Sequence, residues 1–140
     1  MVRYYIDMQA TELGAYPPVE SAANIMRSII YNNAGSLSAS MICSGWDPYK
    51  GYQIYSVNQT GFFREENFAM SGSGSVFIYG FADANYRPDF NLEEAKGFIQ
   101  SAVSLACYRD ESSGGVIRML NITKDGTERF YTPYQEFKIK

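Results

Sequence analysis

No histidine occurs in this sequence. That single absence removes Ser-His and Cys-His nucleophile pairs, histidine general bases and histidine-ligated metal sites. Any catalysis must run on carboxylates, hydroxyls, lysine or an α-amine. Asp110, followed by Ser112-Ser113-Gly114-Gly115, offers a carboxylate with hydroxyls beside it. It reads either as a pair that positions a catalytic group or as a solvated acid at a glycine-rich break. An acid near a helix C-terminus opposes the helix dipole, so Asp110 is expected to have a specific partner.

The loop Ser71-Gly72-Ser73-Gly74-Ser75 precedes an expected helix and could cradle a phosphate on free N–H groups. It matches neither the P-loop nor the dinucleotide pattern, and a tight turn needing small residues is the stronger local reading. Gly45-Trp46-Asp47 reads as a hairpin turn with tryptophan packed beneath it, or as a substrate-binding turn. Glu65, Glu66, Glu93 and Glu94 read as solvated charges rather than a glycosidase pair.

The elements that must position these groups follow from periodicity. Residues 2–13 read as a helix with Val2, Tyr5, Ile6, Met8 and Leu13 roughly on one side. After Pro17-Pro18, residues 19–31 read as a second helix burying Ala22, Ile25, Met26, Ile29 and Ile30. A strand over 37–44, a turn over 45–51 and a strand over 52–57 make a hairpin. Two more short strands are expected at 61–63 and 67–70, around a charged turn at 64–66. Residues 76–84 fit a helix. Asn91 caps another that runs to Arg109, burying Ala95, Phe98, Ile99, Ala102, Val103 and Ala106. Val116–Ile122 and Glu128–Tyr131 pair across Lys124-Asp125-Gly126-Thr127. This order implies an α+β layered fold in one domain spanning residues 1–140.

Composition narrows the partners. The chain has 140 residues, enough for a sizeable core, and 46% of them are apolar. With 16% aromatics and only 19% charged residues, the composition argues against disorder and fits either surface buried against partners or a monomer with a large core. Net charge is -3 with no dense basic cluster, which argues against nucleic acid. No apolar run is long enough to span a bilayer, and Met1-Val2-Arg3-Tyr4-Tyr5 lacks a signal-peptide core. A soluble, intracellular protein is expected. Cys43 and Cys107 are then buried, reduced thiols, and the sequons at Asn58 and Asn121 go unused.

The motifs together resemble one family. Ser44-Gly45-Trp46-Asp47, Gly72-Ser73-Gly74-Ser75, Tyr79-Gly80, Asp83-Ala84 and Arg109-Asp110-Glu111-Ser112-Ser113-Gly114-Gly115-Val116-Ile117-Arg118 look like eukaryotic proteasome beta subunits. The stretch from Tyr79 to Arg87, with Ser113 to Arg118, is most similar to the beta-one, caspase-like type. The resemblance covers essentially the whole chain from Val2. It implies an N-terminal nucleophile hydrolase, a four-layer αββα sandwich with an N-terminal threonine as nucleophile and its α-amine as base. That agrees with the lack of histidine.

By this resemblance Ser73, Asp110 and Ser113 support the threonine and its amine, orienting the amine and tuning its basicity. No cofactor is required. Backbone carbonyls of Cys107, Asp110 and Ser113 could hold a structural cation. The implied partners are other proteasome alpha and beta subunits in stacked seven-membered rings, with unfolded polypeptides as substrates, in cytoplasm and nucleus. No nucleic acid or membrane partner is implied. The implied function is endopeptidase cleavage after acidic residues in ubiquitin-dependent degradation, and the alternative is a non-catalytic ring subunit.

Two departures matter. Glu111 stands where the family usually has a small residue or glycine. The family's nucleophilic threonine, the aspartate and lysine near it, its oxyanion-hole glycine and most of its specificity pocket match no residue here. Thr11 is not in the nucleophile's place, and Lys50, Lys96, Lys124, Lys138 and Lys140 replace no catalytic lysine. The expectation is an N-terminally truncated subunit starting at an internal methionine, inactive and poorly soluble alone because its sheet edges are exposed.

Overall fold

The computed structural model describes residues 1–133, Glu136 and Phe137, so Lys138 and Lys140 lie outside the described residues. The structure is mixed α+β and divides into two compact units. The first comprises Met1–Met70 with Thr123–Asp125; the second comprises Ser71–Ile122 with the residues from Gly126 on.

In the first unit, α1 (Val2–Leu13) ends on Gly14, whose φ of 71° is the left-handed conformation that closes a helix cheaply only in glycine. The helix buries no residue fully: Val2, Ile6 and Ala10 are half-buried, whereas Tyr5, Met8 and Leu13 are exposed. One neighbouring helix covers only a narrow i, i+4 stripe, so the broader expected face is not filled. α2 (Val19–Asn32) buries Val19, Ala23 and Ile30; Ala22, Ile25, Met26 and Ile29 are half-buried.

α2 packs on an antiparallel sheet ordered β1-β2-β3, comprising β1 (Met41–Asp47), β2 (Gly51–Val57) and β3 (Phe63–Glu65). Val19, Ala23 and Tyr55 form the core, with Cys43 and Phe63 against it. Gly45 makes the contact possible: a Cβ there would lie 3.0 Å from a Val19 methyl.

Several strand boundaries differ from expectation. β1 starts four residues late and runs through Gly45-Trp46-Asp47, because the ladder closes only at the Asp47–Gly51 pair. Asp47 Oδ1 accepts the N–H groups of Tyr49 and Lys50 at 2.9 and 2.8 Å, which compresses the turn to Pro48-Tyr49-Lys50. Trp46 is half-buried in the strand. Further on, Asn58 Oδ1 accepts from the amides of Thr60 and Phe62, both at 3.0 Å. That turn delays β3 to Phe63, so Arg64 and Glu65 are strand residues rather than a turn, and 67–70 forms no strand.

In the second unit, residues 76–84 are not one helix. A 3-10 turn (Ser73–Phe77) comes first, then α3 (Tyr79–Asn85). Gly72 precedes it at φ 100°, and its carbonyl accepts from both the amide and the hydroxyl of Ser75. Such i→i+3 bonding tightens the winding beyond an α-helix. α4 (Leu92–Arg109) starts with a complete capping box between Asn91 and Glu94. It buries Ala102, Ser104 and Ala106; of the other residues expected inside, Ala95, Phe98 and Val103 are half-buried and Ile99 is exposed. β4 (Val116–Thr123) and β5 (Gly126–Pro133) pair in a two-stranded sheet through a turn shorter than expected. Among the described residues no helix is long and apolar enough to cross a membrane.

Candidate functional site

The expected partner of Asp110 is a set of three serines. Asp110 caps α4 at its C-terminus with extended backbone (φ -105°, ψ 110°), its amide still donating to the Ala106 carbonyl at 2.9 Å. The following turn closes when Ser113 N–H donates to the Asp110 carbonyl at 3.0 Å. Glycines at 114 and 115 then release the chain, Gly115 with φ 90°.

Asp110 Oδ2 accepts the hydroxyls of Ser113 at 2.6 Å and Ser73 at 2.7 Å. Oδ1 accepts the Ser112 hydroxyl at 2.7 Å and the Ser112 N–H at 3.1 Å. The Ser112 and Ser73 oxygens stand 3.0 Å apart. Short hydrogen bonds of this kind stabilise the ionised carboxylate. The hydroxyl of Ser113, then those of Ser73 and Ser112, hold Asp110 well below the usual carboxylate range, against a smaller opposing effect of burial.

Ser73 reaches Asp110 across 37 positions because the backbone between them packs closely. Gly74 is buried, and a Cβ there would come within 3.0 Å of Ala106 Cβ and 3.1 Å of Ser113 Oγ. Glycine lets the 3-10 turn lie this close to α4 without either neighbour having to give.

The three residues singled out as supports in the sequence, Ser73, Asp110 and Ser113, are thus brought together. Ser112, read in the sequence as a hydroxyl beside Asp110 but not among the three supports, is a fourth member. The available signal was its spacing, since a serine two positions after an aspartate can place both its amide and hydroxyl on that carboxylate. Cys107 is half-buried, and burial together with the nearby Asp110 charge pushes its thiol pKa up, which disfavours a nucleophilic thiolate. Burial likewise raises Cys43. Among the described residues no group of His, Cys, Asp or Glu side chains is arranged to hold a metal. Thr11 donates its hydroxyl to the Asp7 carbonyl within α1.

The first unit contains a separate polar chain. Gln53 Nε2 donates to Asp47 Oδ2 at 2.7 Å, Tyr55 Oη donates to Gln53 Oε1 at 3.1 Å, and Lys50 Nζ donates to Tyr55 Oη at 3.1 Å. Lys50 also meets Glu65 at 2.6 Å, the bond chiefly responsible for raising its pKa. Tyr55 stacks on Phe63 with ring centroids 4.8 Å apart. Glu65 is therefore paired rather than merely solvated, while Glu93 and Glu94 occupy the first turn of α4 as expected.

The family model described as "Proteasome subunit" matches residues 1–122. The chain is 40% identical over 132 residues to proteasome subunit beta type-6 of Dictyostelium discoideum, a match covering 94% of this chain and 62% of that protein. It is 43% identical over 129 residues to the probable proteasome subunit beta type-1 of Schizosaccharomyces pombe, covering 92% and 57%. Against human proteasome subunit beta type-9 it is 41% identical over 128 residues, covering 91% and 58%. The chain spans about three fifths of the length of these curated relatives. The chain belongs to the proteasome subunit family, and the relatives it matches are beta subunits.

Proposed function

We propose that the protein carrying this chain is a beta-one-type subunit of the proteasome core and works as a threonine endopeptidase. The observation that carries this reading is the convergence of Ser73, Ser113 and Ser112 on one ionised carboxylate, Asp110, in a chain without histidine. A hydrolase without imidazole needs another base, and a free α-amine of suitable pKa can serve. The cluster is suited to hold such an amine: fixed oxygens and one buffered negative charge orient the amine and favour its protonated form after it has taken the nucleophile's proton. The nucleophilic threonine is supplied by residues other than these 140 in the four-layer αββα sandwich of the whole subunit. Cleavage follows acidic side chains, and substrates are unfolded polypeptides delivered by the ubiquitin pathway in cytoplasm and nucleus. The subunit sits among alpha and beta partners in stacked seven-membered rings, a setting favoured by the many exposed aromatics such as Tyr4, Tyr31, Phe62 and Tyr108.

The carbonyls of Cys107, Asp110 and Ser113 would seat a structural cation. Neutral oxygen donors at the negative end of α4 suit a hard metal ion, and the turn closed by the Ser113 amide holds two of the three residues together. Such a cation would supply rigidity to that turn and no chemical step.

The test is intact mass and N-terminal sequencing of the subunit from its native assembly, followed by hydrolysis of peptides ending in an acidic residue before the reporter group. A mass above 15.8 kDa with an N-terminal threonine and such hydrolysis supports the reading. A subunit without an N-terminal threonine leaves only a structural role in the ring.

A further inference from the structure

Asp125 is the aspartate whose next residue is glycine, and no asparagine in the chain precedes one. The pair closes the β4–β5 hairpin: Lys124 and Asp125 form the turn, and Gly126 opens β5. Both residues are exposed. The Asp125 N–H donates to Thr123 Oγ1 at 3.2 Å, but its carboxylate takes no hydrogen bond or ion pair among the described residues. Gly126 sits at φ 147°, and nothing lies within 4 Å of where a Cβ would be. Its nitrogen is thus uncrowded by any side chain of its own, and the space beside it is open.

The other aspartates lack one or more of these features. Asp47 precedes Pro48, whose nitrogen carries no hydrogen, and its carboxylate is already engaged. Asp7 and Asp83 lie inside α1 and α3, where closing a ring onto the next nitrogen would break the helical ladder. Asp89 is followed by the bulky Phe90, and Asp110 by Glu111, with its carboxylate held by three serines.

We propose that Asp125 is a self-modifying site that isomerises to isoaspartate. The Gly126 nitrogen attacks Asp125 Cγ, forming an N–C bond and a cyclic imide. One carboxyl oxygen leaves as water, with the carboxyl proton and the amide hydrogen. Water then opens the ring at either carbonyl. Opening at Cγ restores aspartate. Opening at the main-chain carbonyl leaves the chain running through Cβ and Cγ, with the α-carboxylate free. No atom is gained or lost overall, and no co-reactant other than water takes part. The new linkage adds a methylene to a tight turn, so β5 no longer leaves it in step with β4. The inference is independent of the proposed function, since it uses no group of the Asp110 cluster.

The experiment ages the full-length subunit in its assembly at neutral pH and physiological temperature. Cleavage after arginine then releases residues 119–129, and chromatography separates isomers of equal mass. Wild type should gain, with time, a second peak of unchanged mass. That peak should accept a labelled methyl group from an isoaspartate-directed carboxyl methyltransferase, and should exceed the isomer at every other aspartate. Asp125→Glu, whose imide needs a larger and slower-forming ring, should lose the second peak. Asp125→Asn should form isoaspartate faster, because ammonia is the better leaving group. A single wild-type peak overturns the proposal, as does a second peak that persists in Asp125→Glu. An isomer that dominates at another aspartate overturns it too. So does a second peak in the isolated 119–129 peptide but none in the assembled subunit, because the folded turn then blocks the ring.

Discussion

The carboxylate of Asp47 accepts the backbone N–H of Val19 at 3.0 Å, tying the end of β1 to the first turn of α2 across 28 positions. Pro18 precedes that helix and supplies no side-chain cap, so the hairpin provides the cap from a distance. The same carboxylate closes its own turn and receives Gln53, and it is 6% exposed.

Asp47 should make this region acid-sensitive. Its bonds, led by Gln53 and then Val19, lower its pKa from 3.8 to about 2. A depressed folded pKa contributes stability that is complete above the unfolded value and lost as pH falls through the folded one. Exchange protection of the Val19, Tyr49 and Lys50 amides should therefore hold at neutral pH and fall between about pH 4 and pH 2. Asp47→Asn should lower protection at pH 7 and match wild type near pH 2. Equal protection of both proteins at pH 7 would refute this account.

Removing one oxygen from Tyr55 should be costly although the ring remains. Tyr55→Phe keeps the stack on Phe63 but strands Gln53 Oε1, which is buried, and takes a partner from Lys50. A buried acceptor left unpaired costs about 1–3 kcal/mol. Denaturant titration of the purified subunit should show that loss, whereas Tyr52→Phe, at an exposed position of the same strand, should show almost none.

At Asp110 the expected loss is of rate rather than of assembly. Asp110→Asn removes the charge and replaces one carboxylate oxygen by an NH₂ group, so either Ser112 or the Ser73 and Ser113 pair loses its acceptor. On the proposed mechanism kcat should fall roughly a hundredfold, within the usual span for acid–base assistance. Assembly, followed by intact mass of the complex, should persist. A variant of normal kcat would exclude Asp110 from the chemistry.

The start of α4 offers a test independent of any activity. Asn91 accepts the Glu94 amide at 3.0 Å, and Glu94 returns a carboxylate to the Asn91 amide at 2.9 Å. Asn91→Ala should cost about 1 kcal/mol, read as a lower thermal midpoint of the subunit. Asn91→Ser should recover most of it.

The same capping box explains why α4 was legible from sequence: its start depends on residues three apart, and its end on the turn that begins at Asp110. Helices α1 and α2 were legible for the same local reason, bounded by Gly14 and Pro17-Pro18. Strand limits were not, because β1 ends and β3 begins where Asp47 and Asn58 fold back on nearby amides, a choice between turn and ladder that either sequence pattern permits. The split at Ile78 follows from Ser75 bonding to Gly72, again a side-chain decision invisible to hydrophobic period. In the candidate site, Ser73, Asp110 and Ser113 came from resemblance rather than pattern, since no spacing rule joins Ser73 to Asp110. Ser112 was within reach of a local rule. The Gln53–Tyr55–Lys50 chain was legible only in part: Gln53 and Tyr55 share a face of β2 by strand period, but Lys50 reaches Tyr55 from the turn, which local pattern does not place.

Gly74 has a consequence for lineages in which this gene is duplicated. Any glycine codon becomes an alanine codon by one nucleotide change, and the resulting methyl would stand 3.0 Å from Ala106 and 3.1 Å from the Ser113 oxygen. Such a copy would retain every serine and the aspartate, yet Ala106 or the Ser113 side chain would have to give by a few tenths of an ångström. The loss of this site in evolution can therefore begin with a residue that carries no chemistry, before any polar group is touched.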